Sequence, residues 1–350
     1  MNFYNPSTLF YCGIDLHART IYICMMNKDR KILVHRQITN NATDLFLKIL
    51  QPYKHDLVIG AESTFAWYWL ADFCADNDIE FILGHALYMK AIHGGKAKND
   101  RIDSKKIALL IQGGMFPTAY VYPKEKRATR DLLRRRLHFV RLRGELFAHI
   151  QTINYQNNGL PLARLGNNKS IRNNVPDLFK NETTKKTVEA DLNLIKYYDE
   201  FIPKLEWHIL SKTKQLYQKE LAILSSARGM GPIIALTILF EVDSINRFPS
   251  VQDFASYSRV VKCTHESAGK KYGTGGAKIG NPYLKYVFSE AACLMAKYNP
   301  GIKNYLQKME RKHGKGKGKI ILAHKIARAV YFMLKRNTVF DIDKFLNKNN

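Results

Sequence analysis

Four carboxylates in the first third of the chain stand where a divalent cation could be held. Asp15 closes the apolar run in GIDLHA and Glu62 closes the one in VIGAEST, so both fall at expected strand ends. Asp100 and Asp103 stand three apart at a helix start in KNDRIDSKKIALL, a spacing that projects both from one face. Capping that helix needs only one of them. If the strands that end in Asp15 and Glu62 pair, all four acids meet at one edge of a sheet. Carboxylates so placed repel by roughly several kcal/mol at short range unless cations neutralise them, which calls for Mg²⁺ or Mn²⁺. Two such ions about 4 Å apart serve an in-line attack on a phosphodiester. His17, two residues beyond Asp15, reads as a turn or surface residue and is not counted among the ligands.

The composition names the partner that such a site would act on. The 350 residues carry 55 Lys and Arg against 30 Asp and Glu, a formal charge of +25 that exceeds what solubility requires and points to a polyanion. With 46% hydrophobic residues there is apolar surface for two or three cored domains, so this is not a disordered basic tail. No run of eighteen apolar residues exists, and the start lacks the order of a signal peptide, so neither membrane spanning nor export is expected. Cys12, Cys24, Cys74, Cys263 and Cys293 are scattered without a CxxC pair, which disfavours a disulfide framework or zinc ribbon and makes a cytoplasmic location the expectation. The charge is uneven: residues 261–340 hold 17 Lys and Arg against 3 Asp and Glu, a surplus of 14.

The elements that must position the acids follow from hydrophobic periodicity. Strands are predicted at 11–15, 20–26 and 32–38, then a helix in TDLFLKILQPY and a fourth strand at 56–63. A helix in FAWYWLADFCA, a strand at 80–84 and a helix starting near Asp103 complete the order βββαβαβα. That order belongs to a mixed α/β fold whose first, fourth and fifth strands are neighbours. Trp67, Tyr68 and Trp69 read as core. Lys105 and Lys106 follow Asp103, facing DNA phosphates or balancing local charge.

Between 123 and 220 the strand signals stop and helical patterns take over, a hairpin or coiled coil with a Gly-, Asn- and Pro-rich linker near 159–179 and a kink expected at Pro203. Its first helix pairs an apolar stripe of Leu133, Leu137, Val140 and Phe147 with Arg134, Arg135, Arg136, Arg141 and Arg143. A helix so basic repels itself unless phosphates screen it, so RNA or DNA is expected along it. From 221 to 345 the pattern is mostly helical, with a Gly-Met-Gly-Pro turn like that of a helix-hairpin-helix element. The run RKHGKGKGK, with Lys315 and Lys317, reads as a flexible basic loop that contacts nucleic acid.

The blocks GIDLHA, GAEST and KNDRIDSKKIA resemble the DEDD motif of the Piv/MooV-type insertion-sequence transposases. LSSARGMGPIIALTIL, INRFPSVQDFASYSRVV and SAGKKYGTGGAKIGNPYLKYVFSEAA resemble that family's second module. The resemblance implies a RuvC-like domain of RNase H fold over 1–122, a helical coiled-coil region over 123–220 and a basic, mostly helical transposase domain over 221–345. It implies a site-specific DNA recombinase that uses Asp15, Glu62, Asp100 and Asp103 to hold metal, acts on double-stranded DNA and is guided by a structured bridge RNA. It also implies a serine nucleophile. The matching stretch HESAGKKYGTGGAKIGN puts this at Ser267, with Glu266 where a first serine is usual and Ala268 where a glycine is usual. His265, Lys270 and Lys271 lie close enough in sequence to activate that hydroxyl or hold the scissile phosphate, and Lys278 extends the basic set. A homodimer or homotetramer held by the helices of about 124–218 is expected, because strand exchange needs more than one active site. Two other readings fit the same residues: a RuvC-like Holliday-junction nuclease with water as nucleophile, and a basic scaffold without chemistry.

Overall fold

A computed structural model describes residues 2–92, 99–162, 169–213, 216–262, 266–267, 269–271 and 279–346. His265 and Lys278 lie outside the described residues, as do the side chains of Ser267 and Lys271. The chain divides into two compact units, 1–125 and 126–350. Leu133, Ile209 and Tyr217 join the core formed by the later helices.

The first unit is a six-stranded sheet: β1 (Phe10–Leu16), β2 (Thr20–Asn27), β3 (Ile32–Thr39), β4 (Leu57–Glu62), β5 (Glu80–Gly84) and β6 (Thr118–Ala119), in spatial order 3-2-1-4-5-6. β1 runs parallel to β4 and β4 parallel to β5, as the strand order predicts, while β2, β3 and β6 are antiparallel to their neighbours. Helices α1 (Thr43–Leu50) and α2 (Trp67–Asp76) cover one face, where Phe46, Leu50, Trp67, Leu70 and Cys74 pack on Cys12, Ile14, Ile59 and Ala61. Trp67 is buried there and Tyr68 and Trp69 pack beside it, so the aromatic cluster is core. Helix α3 (Ala86–Ile92), which the sequence does not announce, precedes α4 (Asp100–Gln112). Ile107, Ala108 and Ile111 of α4 close the opposite face against Tyr11, Cys24 and Val58.

Helix α4 lies unusually near the sheet because two strand residues have no side chain. A Cβ on Gly13 would stand 2.3 Å from the backbone of both Ser104 and Ala108, and one on Gly60 would stand 2.4 Å from Ile111 Cδ1. Glycine in a strand interior costs some stability but permits this close approach of backbone to backbone.

The second unit begins with two long antiparallel helices, α5 (Lys124–Asn158) and, after the short α6 (Lys169–Asn173), α7 (Glu182–Thr213). Their register is fixed by polar pairs that step along both: Arg136 with Glu206, Arg143 with Asp199, and His149 with Asp191. Ile150, Ile153, Val188 and Ile195 pack between them, and Val175 and Phe179 from the linker complete that core. α7 runs unbroken through Pro203.

The remainder is helical: α8 (Gln218–Ser225), α9 (Pro232–Val242), α10 (Val251–Tyr257), α11 (Pro282–Tyr298), α12 (Pro300–His313), α13 (Lys315–Arg336) and α14 (Ile342–Leu346). A two-residue ladder joins β7 (Glu266–Ser267) to β8 (Lys270–Lys271). In the Gly-Met-Gly-Pro turn, Gly229 sits at φ +105° and a Cβ there would meet the backbone of Met295 at 2.7 Å, so this glycine admits α11. The expected flexible loop at 311–319 is instead the corner of a helical hairpin. Gly314 turns the chain at φ +83° and begins α13, and Gly318 allows α13 to touch the backbone of Glu310 at a distance no side chain would tolerate. The glycines serve close helix packing, and Lys315 and Lys317 are exposed in its first turn. Among the described residues, no helix is long and apolar enough to cross a membrane.

Candidate metal centre and nucleic-acid interface

The sheet register puts the two strand-end acids side by side. The last paired positions of β1 and β4 are Ile14 and Ala61, so Asp15 and Glu62 are the next residue along each of two parallel neighbours. Alternation along a strand then decides their face. Ile14 and Ala61 point into the core under α1 and α2, so Asp15 and Glu62 lie on the face covered by α4, the same one as Gly13 and Gly60. Because α4 rests directly on Gly13 through Ser104 and Ala108, its first turn is carried toward the Asp15 end of β1. Asn99 caps that turn, its side-chain oxygen accepting from the Ile102 N–H at 2.8 Å, which leaves Asp100 and Asp103 free of the capping task.

The acids converge around an imidazole. His17 Nε2 lies 3.3 Å from Asp15 Oδ2 and 3.3 Å from Asp100 Oδ1, and one ligand atom of each of the three falls within 4.8 Å of the others. Ligand atoms adjacent on an octahedral ion with bonds near 2.1 Å are about 3 Å apart, so the trio fits one divalent cation. Asp103 lies near enough to oppose ionisation of Asp15, and it also meets Lys106 at 3.6 Å. Glu62 is half-buried at its strand end, outside that tight trio. The Asp15 carboxyl is pushed up from its ordinary value chiefly by burial. His17 pulls it back down, and Asp100 and Asp103 push it further up. A carboxylate kept in this condition gains from a cation.

His17 is the residue that sequence reasoning set aside. Its position depends on the β1–β2 turn, where the His17 N–H donates to Thr20 O at 3.0 Å, and on where α4 crosses the sheet. The one sequence-level hint is its spacing, two residues beyond a strand-end acid. If the imidazole is a ligand, His17→Ala lowers Mn²⁺ affinity by about 10- to 100-fold, as followed by electron paramagnetic resonance titration of the free ion. Unchanged affinity would place His17 outside the coordination shell.

Several expected nucleic-acid contacts have other engagements. Arg134 meets the buried Glu241 carboxylate through Nε at 2.5 Å and Nη2 at 2.7 Å, and its guanidinium lies over the Tyr283 ring. Arg136 and Arg143 pair with Glu206 and Asp199, and Arg141 lies over Tyr286. Carboxylates of α7 and α9 thus supply much of the screening that the sequence reading assigned to phosphates. Arg135 is exposed, its guanidinium over Phe139, and Lys105, Lys270, Lys315 and Lys317 are exposed as well. In the β7–β8 ladder the register sets Ser267 opposite Lys270, with Gly269 at φ +73° in the turn between them.

Comparison with known proteins finds two successive matches along the chain. The IS110 DEDD transposase model matches residues 12–153, which include all four acids, and the "Transposase IS116/IS110/IS902 family" model matches residues 221–307, which include Ser267. A "Probable family 20 transposase" from Pseudomonas aeruginosa is 21% identical over 347 residues, covering 94% of this chain and 97% of the relative. Both matches name transposases of one kind, and the chain belongs to the IS110-type DEDD transposases.

Proposed function

We propose that this transposase cuts and rejoins double-stranded DNA with two chemical groups, a Mg²⁺- or Mn²⁺-loaded carboxylate centre and the Ser267 hydroxyl, under the direction of a structured guide RNA. The observation that carries the reading is the meeting of Asp15, His17 and Asp100 within 4.8 Å, with Glu62 on the neighbouring strand end and Asp103 one turn along α4. Asp15 and Asp100 would hold the cation, with Asp103 and Glu62 completing its surroundings. A divalent cation there supplies charge stabilisation at the scissile phosphate. The chain's own contribution is to fix these ligands on a rigid sheet and an abutting helix.

Ser267 would attack phosphorus. A serine O–P bond forms, the P–O bond to one DNA hydroxyl breaks, and the serine proton leaves to a nearby base or to that departing oxygen. Rejoining reverses the step with a hydroxyl from another strand, so no external energy source is needed. The hairpin register that opposes Ser267 to Lys270 supports this role, since an ammonium there suits the phosphate's charge. The exposed lysines of 261–340 supply the wider electrostatic attraction, and a dimer or tetramer would bring enough active sites to exchange two duplexes.

The test is a covalent adduct. Wild-type protein with guide RNA, DNA and Mg²⁺ should give a protein–DNA band that survives denaturation, and Ser267→Ala should lose it entirely while still binding DNA. Strand cleavage by Ser267→Ala at the wild-type rate would instead favour water as the nucleophile, the chemistry of a junction nuclease.

A further inference from the structure

We infer that the C-terminal helices carry a pocket for an unpaired nucleotide, separate from the strand-transfer chemistry. After α13 ends, Asn337 adopts a left-handed turn at φ +53°, and the chain folds back through residues 338–341 into α14. A cleft of about 590 Å³ lies between the returning segment and one stripe of α13. Lys325, Arg328, Phe332 and Arg336 recur on that stripe at helical spacing, so cations and an aromatic ring alternate along one wall. Phe340 and Lys344 stand on the other wall.

The lining mixes apolar and cationic side chains, which is the combination a base with its phosphate requires. Arg336 lies over the Phe332 ring at 4.7 Å and Lys325 over the Phe345 ring at 5.1 Å, so the charged groups are held against aromatic faces. None of Lys325, Arg328, Arg336 and Lys344 has an ion-pair partner among the described residues. The one acid of the lining, Asp341, accepts from the Lys344 backbone N–H at 2.9 Å and caps α14. Four cations against one acid, two of them over aromatic rings, disfavour an apolar peptide and favour a polyanion with a flat, stackable group. Duplex DNA offers the charge but keeps its bases stacked on one another. An unpaired nucleotide offers both, and aromatic stacking accepts any base. RNA loops and single-stranded DNA share this chemistry.

The inference rests on the proposed function only in that a guided recombinase handles unpaired strands. The experiment uses full-length protein and three fluorescent probes: a single-stranded RNA, a single-stranded DNA of matching sequence and a blunt DNA duplex. Phe332→Leu, which keeps an apolar side chain without the ring, and Arg336→Ala, at an exposed position, should each weaken single-strand binding by about tenfold and leave duplex binding within about twofold. Loss confined to the RNA probe assigns the pocket to RNA, and equal loss on both single strands assigns it to any unpaired strand. Equal loss on the duplex, or no loss on any probe with both variants, would overturn the pocket. Loss of pocket binding with the Ser267-dependent adduct retained would separate this site from the chemistry. No adduct in the wild type with intact pocket binding would fail the proposed function alone.

Discussion

Asp15→Asn should slow strand transfer about a thousandfold and at the same time raise the melting temperature of the metal-free protein. Both results come from one carboxylate. In the fold, burial and the neighbouring Asp100 and Asp103 make ionised Asp15 costlier than in the unfolded chain, and the offset from His17 does not restore its ordinary value. The folded state therefore holds this proton more tightly than the unfolded state does. Stability credited to the group is present below the usual carboxylate range and is lost as pH rises through the raised folded value. An asparagine removes that loss, so the gain in melting temperature should be clear near neutral pH and should vanish at acid pH. A divalent cation reverses the order, since binding to the folded state alone adds RT ln(1 + [L]/Kd) to stability. Wild type should rise steeply with added Mn²⁺ and the asparagine variant should barely move. Losing a ligand that holds the scissile phosphate's counter-charge should cost about 4 kcal/mol of barrier, close to a thousandfold in rate. Wild-type rates of strand exchange in Asp15→Asn, or a cation response equal to wild type, would remove Asp15 from the centre.

The legible part of this site was the part dictated by short-range pattern. Parallel strands covered on both faces read as apolar runs, so β1, β4 and β5 and their adjacency follow from the chain. An acid at the end of such a run is conspicuous because everything before it is buried. Asp100 and Asp103 were legible because three residues is nearly one helical turn. What was not legible depends on how elements cross. His17 reaches Asp100, 83 positions further on, only because α4 settles on two bare strand positions, Gly13 and Gly60. The lysine- and glycine-rich run at 311–319 has the composition of a loop, yet Gly318 is buried at a helix contact that admits nothing larger. Composition recorded the absence of side chains correctly but could not show that another backbone fills the space.

The arginine-rich helix gives the strongest case of a partner hidden by distance, and with it the largest expected loss of stability. Glu241 is the last residue but one of an apolar helix, PIIALTILFEV, and is 1% exposed. Its carboxylate accepts from Arg134 at 2.5 and 2.7 Å, from Arg130 at 3.2 Å and from the Asn281 side-chain amide at 2.7 Å. Asn281 in turn caps α11, its side-chain oxygen accepting from the Tyr283 and Leu284 N–H groups. One buried charge therefore ties α5, α9 and the start of α11 together. Burial pushes the Glu241 carboxyl up, but the hydrogen bond from Arg134 and the charges of Arg130 and Arg134 outweigh it, and the group lies below its ordinary value. With the folded value depressed, the associated stability is present above the unfolded carboxylate range and is lost as pH falls through the folded value. Glu241→Gln leaves Arg130, whose side chain is only 9% exposed, and Arg134 facing a neutral amide. Breaking a buried pair from one side costs about 3–5 kcal/mol, so urea unfolding of this variant should show a loss of that size. Replacing Arg130, Arg134 and Glu241 together with apolar residues of similar volume should recover most of it, because removing every charge leaves none unpaired. A loss under about 1 kcal/mol in Glu241→Gln would mean that solvent screens the cluster. Arg134 would then be available to phosphates, as its sequence alone suggests.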